Sequence, residues 1–125
     1  MGKYTDEIGV TTGVATTFTA LTGSPYSPLK NGRLKGVQLH LAGDAASSLI
    51  EKVTVRLTCP DWGVPVYVTG VGGGLRTATC PPIPMVQQDC DLPVSQSSKI
   101  TAEYKHDTGA TPVTPRISVI GIFEG

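Results

Sequence analysis

The sequence predicts an all-β fold: an antiparallel two-sheet β-sandwich, jelly-roll-like, of about eight strands. Three observations predict it. Residues 33–41 and 49–58 alternate apolar with polar side chains, the pattern of strands with one face in a core and one in water. Turn signals rich in Gly, Pro, Asn and Asp separate short extended stretches along the whole chain. No stretch sustains a helical period. Together these favour two packed sheets, and eight strands suit a jelly roll. An immunoglobulin-like sandwich is the runner-up. It needs a Trp on a strand between two bridging cysteines, and Trp62 follows Cys59 too closely for that.

The elements follow in order. Residues 1–13 carry little periodicity and read as an extended arm, free in solvent or laid on a neighbouring subunit. Residues 14–125 form a single sandwich domain. Residues 14–20, rich in Thr and Val, read as the first strand. Residues 21–32 hold Pro25, Pro28 and Asn31-Gly32 and read as a turn-rich connection, with Asn31-Gly32 suited to a tight turn. In the central pair, Val37, Leu39 and Leu41 point one way, as do Val53, Val55 and Leu57, with a polar bend at 42–48 between the two strands. Pro60 ends the second strand. Residues 64–69 alternate again, with Pro65 restricted to a strand start or sheet edge. Residues 70–74, mostly glycine, read as a mobile loop, and 75–79 as a short strand.

Pro81, Pro82 and Pro84 make 80–89 extended and irregular, with Met85 and Val86 tucked inward. Residues 90–94 form a short strand. From 98 to 106, Ile100, Ala102 and Tyr104 alternate with Lys99, Thr101, Glu103 and Lys105. Residues 107–115 form a loop. Residues 116–124 close the chain with Ile117, Val119 and Phe123 on one face and Ile120 and Ile122 on the other. Apolar residues on both faces imply a cover on each side, one of them the opposite sheet and the other a loop or a second subunit.

Composition bounds the functional classes. The chain has 125 residues, enough for one domain with its own core. Charged residues make up only 16%, below the roughly 25% of ordinary soluble domains. Ten basic residues balance ten acidic ones, which leaves no cationic excess for phosphate neutralisation. Direct nucleic-acid binding is therefore not expected, and no apolar run is long enough to predict a membrane span. Nor does residues 1–13 resemble a signal or transit peptide. Cys59, Cys80 and Cys90 are an odd set. They read as small apolar fillers, with a Cys80–Cys90 bridge the alternative.

No catalytic motif stands out. His40 and His106 are the only histidines. Each is expected on the polar side or at the end of a strand, without the ligand spacing that zinc requires. The glycine run has neither the Lys-Ser/Thr of a phosphate loop nor a helix after it. Asp89 and Asp91 flank Cys90 and share a face if that piece is a strand. No enzymatic activity, catalytic residue, metal or cofactor is expected. The candidate residues are partner contacts: Trp62, either a cap over one end of the sandwich or an exposed anchor, together with Tyr67, Ile120 and Ile122.

One resemblance adds to this reading. The strand plan, the entry Asn31-Gly32-Arg33-Leu34-Lys35-Gly36-Val37, the break Pro60-Asp61-Trp62-Gly63 and the terminal strand Pro115 to Phe123 resemble the single jelly-roll structural proteins of icosahedral virions. These include small capsid proteins and the cement or decoration proteins that lock capsomers together. The resemblance implies a structural role in the virion. It implies self-association, a trimer being one candidate, and contact with other capsid proteins. The lack of a basic arm places such a protein against proteins rather than genome. The alternative is a carbohydrate- or receptor-binding module using Trp62, Tyr67, Tyr26 and Tyr104.

Overall fold

The computed structural model describes residues 2–11, 15, 17–42, 50–73, 85–106 and 116–125. It contains eight strands: β1 (Lys3–Thr11), β2 (Thr19–Ala20), β3 (Gly32–Ala42), β4 (Ile50–Thr58), β5 (Val66–Gly73), β6 (Met85–Val94), β7 (Thr101–His106) and β8 (Arg116–Glu124). They form two four-stranded sheets, β1-β8-β3-β6 and β2-β7-β4-β5, with every pairing antiparallel. The order is nested. The first strand pairs with the last, the second with the seventh, the third with the sixth, and the middle two with each other. That is one long hairpin rolled up, the winding of a jelly roll.

The core lies between the sheets. From the first sheet come Ile8, Leu34, Val37, Leu39, Leu41, Ile117, Val119 and Phe123. From the second come Val53, Val55, Leu57, Val68, Ala102 and Tyr104. The alternation read from the sequence is thus a record of burial. Two bulges reset its phase. One separates Leu34 from Gly36, so Leu34 faces inward although it is out of step with Val37. The other lies between Glu7 and Gly9.

Phe123 packs across the inner face of its own strand. A Cβ at Gly121 would lie 2.6 Å from the Phe123 ring and 2.9 Å from Ile8 Cδ1. Glycine is therefore required there by close approach. Tyr4 stacks on the same ring at 5.3 Å, and Tyr26 leans on it at 5.7 Å.

Several expectations change. Residues 3–11 are not an arm outside the sandwich. They form its edge strand, from Lys3 opposite Glu124 to Thr11 opposite Ile117. Tyr4 and Ile8 have inward places on the core, and that burial outweighs the polar residues between them. Of the strand expected at 14–20, only Thr19–Ala20 is strand among the described residues, while Val14 and Thr16 lie outside them. Gly32 opens β3 and pairs with Val94, so Asn31-Gly32 is not a hairpin turn.

The glycine loop begins as strand: Gly70, Val71, Gly72 and Gly73 continue β5 against Val53, Lys52, Glu51 and Ile50. Gly70 is held there because Leu39, Leu41 and Val86 fill the space above it. Residues 85–89, expected irregular, belong to β6. There Val86 packs on the core as expected. The bend at 43–48, the strand at 75–79, residues 80–84 and the loop at 107–115 lie outside the described residues.

Candidate functional site

The four candidate contact residues do not form one site. Trp62 is 8% exposed. It sits in the β4–β5 connection, where Pro60 has ended the strand. Its amide donates to Cys59 O at 3.0 Å and its indole Nε1 to Pro93 O at 2.9 Å. It closes one end of the core, so the cap is its place and the exposed anchor is not.

The same end is stitched by short polar bonds. Ser98, itself buried, donates to Asp61 Oδ2 and accepts from the Ser95 amide. Gln96 joins Asn31 and Leu29, and Lys99 reaches Ser27. A cleft of about 130 Å³, lined by Thr58, Cys59, Trp62, Gly63, Val64 and Pro65, opens beside the indole. Val64 on its rim is 69% exposed.

Ile120 and Ile122 lie together on the outer face of the first sheet. Register places Glu7, Ile120, Gln38 and Gln87 in one row, and Thr5, Ile122, Gly36 and Asp89 in the next. Ile122 leans over Gly36, where a Cβ would touch its Cδ1 at 3.4 Å. Both isoleucines are half-buried. The second cover expected for this face is not supplied by any described residue.

A hydrogen-bonded run borders the pair. His40 Nε2 meets Gln38 Oε1 at 3.2 Å, Gln38 Nε2 donates to Gln87 Oε1 at 3.1 Å, and Gln87 Nε2 donates to Asp89 Oδ1 at 2.8 Å. Farther along β6, Asp91 shares its face with Asp89 as expected and pairs with Arg33 and Lys35. The bond from Arg33 holds the Asp91 carboxyl below its usual range.

Tyr67 is on the outer face of the second sheet, half-exposed. Around it is a cluster that sequence reasoning missed. Arg56, opposite Tyr67 on one side and Glu103 on the other, donates to Glu103 Oε1 from Nη2 at 2.8 Å. Its guanidinium lies 4.1 Å over the Phe18 ring, and Lys105 Nζ lies 5.1 Å from that ring. Phe18 in turn approaches Tyr67 at 6.4 Å. The local charge is positive, with two cations to one carboxylate. The register signal for this cluster lies in long-range pairing, which no local pattern records.

The remaining reactive residues are scattered. Cys59 is a buried thiol and Cys90 a half-buried one, both free, while Cys80 lies outside the described residues. Burial pushes the Cys90 thiol up, Asp91 and Asp89 add to the effect, and Lys35 opposes it. His106, expected on a polar side or strand end, closes β7 but faces inward and is 1% exposed. Its Nδ1 accepts from the Ala15 amide at 3.3 Å, and its Nε2 finds no partner among the described residues. Among the described residues no three His, Cys, Asp or Glu side chains gather as a metal site. No described helix is long and apolar enough to cross a membrane.

No protein-family model matches this chain, and no curated protein matches it.

Proposed function

We propose that this chain is a structural protein of an icosahedral virion, either a capsid protein or a cement or decoration protein. It acts by symmetric association with copies of itself, a trimer being one candidate, and with other shell proteins. The observation that supports this most directly is the nested β1-β8-β3-β6 and β2-β7-β4-β5 winding. Jelly rolls serve viral shells, and they also serve lectins and cupins. The outer surfaces favour the first use. Ile120 and Ile122 form an apolar strip with the Gln38 amide beside it and Glu7 and Asp89 at its margins, and the apolar part desolvates at lower cost than a charged face.

A concentration series in light scattering, with electron micrographs of the same samples, tests the proposal. Discrete oligomers or shells are expected. A monomer that persists at high concentration counts against it.

A second reading is a carbohydrate- or receptor-binding module, favoured by Tyr67 standing half-exposed opposite Arg56 and next to Phe18. Its other aromatic candidates are committed elsewhere. Trp62 and Tyr104 are buried, and the Tyr26 hydroxyl donates to Asp6. Glycan-array binding abolished by Tyr67→Ala would favour this reading.

A further inference from the structure

Among the described residues each sheet ends in two edge strands, and an edge offers unpaired backbone groups to any other chain. Three of the four carry protection. β1 has Lys3, Asp6 and Glu7, a bulge, and an Asp6 side chain that accepts the Glu7 amide at 3.0 Å. β2 is only two residues long. β6 has Asp89, Asp91 and Pro93, and the Gln88 side chain caps the Asp89 carbonyl at 3.2 Å.

β5 has none of these. Its sequence Val66-Tyr67-Val68-Thr69-Gly70-Val71-Gly72-Gly73 contains no charge and no proline. The uncharged stretch runs from Trp62 through Leu75. Among the described residues β5 pairs with β4 alone. Of the three exposed large apolar residues among the described residues, Tyr67 is on this strand and Val64 lies two residues before it.

We infer that the outer edge of β5 is an assembly edge, pairing antiparallel with β5 of a second copy across a two-fold axis. This rests on the association reading above and names the strand that carries it. The occupant follows from charge. A two-fold pairing of one strand with itself sets residue i against j and j against i, so a strand whose charges share one sign meets like charges. Like charges placed opposite each other destabilise a sheet. An uncharged strand meets no such repulsion in any register. β5 itself offers no counter-charge to a charged strand from another protein, and Arg56, one strand in, is already paired with Glu103. The result is one continuous eight-stranded sheet on whose outer surface Tyr67 and Thr69 of the two copies meet across the axis.

The test is sedimentation velocity over a concentration series with the full chain and the double variant Tyr67→Glu/Thr69→Glu. The carboxylate at 67 lies opposite Arg56, and Thr54 separates the one at 69 from Lys105, so the fold tolerates them, and circular dichroism and a thermal melt check this. Across the two-fold axis they repel. The concentration for half-association is expected to rise at least tenfold. Lys3→Glu/Thr5→Glu, on the β1 edge, is expected to leave it unchanged. Amide exchange in the unaltered protein gives a second readout, with Val66–Gly70 slowing as concentration rises and the outward amides of Lys3 and Thr5 not slowing. Association that the β5 variant leaves unaltered, or that both variants weaken equally, or that brings no protection to Val66–Gly70, overturns the inference and leaves the shell-protein reading standing. A parent protein that stays monomeric throughout overturns both.

Discussion

Gly121 faces the core where an alanine would have to displace the Phe123 ring or Ile8. Overpacking of this kind costs about 1–3 kcal/mol. Gly121→Ala is therefore expected to lower the unfolding free energy by that much, read as a lower urea midpoint with little change in the slope. Trp62 sits where loss of its side chain empties a closed end of the sandwich. Trp62→Ala should cost about 3–5 kcal/mol by the same measurement, an effect on stability rather than on partner affinity.

Tyr26 gives the clearest pH dependence. Burial first, then its bond to Asp6 and that residue's charge, hold its proton well above the ordinary tyrosine range. A folded-state pKa raised above the unfolded one contributes stability below the unfolded value, about 10 for tyrosine, and that stability is lost as pH climbs beyond it. Denaturation midpoints should fall above about pH 10, and Tyr26→Phe should flatten that alkaline limb. Cys90 gives a chemical readout of the same kind. Its raised thiol pKa leaves less thiolate, so alkylation at pH 8 should be slower than for a free cysteine, most of all if Lys35 is removed.

At the level of the strands, legibility followed burial. β3, β4, β7 and β8 were readable because their alternation is imposed by a core on one side, and local sequence carries that imprint. β1 was misread although Lys3, Thr5 and Glu7 alternate with Tyr4 and Ile8. Its partner, β8, lies at the far end of the chain, and Asp6 breaks the apolar face to meet Tyr26. The glycine stretch was misread for the opposite reason. Its strand character comes wholly from β4 and from side chains overhead, none of it from its own residues. The contact residues were legible only as residue types, because exposure is set by which face the register turns outward.

The misreading of β1 yields a test. If residues 3–11 were an arm, their removal would be tolerated. As a strand covering Phe123 and Val119, their deletion should abolish the cooperative thermal transition, and a melt like that of the full chain would contradict the pairing.

For the molecule as a whole, the nested winding governs kinetics. Only β4 and β5 pair across a short connection. Every other rung closes a longer loop, and chains dominated by distant pairings fold in roughly milliseconds to seconds. Stopped-flow refolding should fall in that range. Val55→Ala in β4 should slow refolding, whereas Ile8→Ala in β1 should act chiefly by hastening unfolding, since its contacts form late.

The position of β8 between β1 and β3 has a consequence for how the protein is made. β1 is the first of the eight to leave the ribosome and cannot be paired until Arg116–Glu124 has followed it out. Until then Tyr4 and Ile8 lack the Phe123 ring and the strand beside them. A nascent chain halted just before Arg116 would lack the plank that joins β1 to β3, leaving their inward residues open to whatever chaperone or aggregate reaches them first.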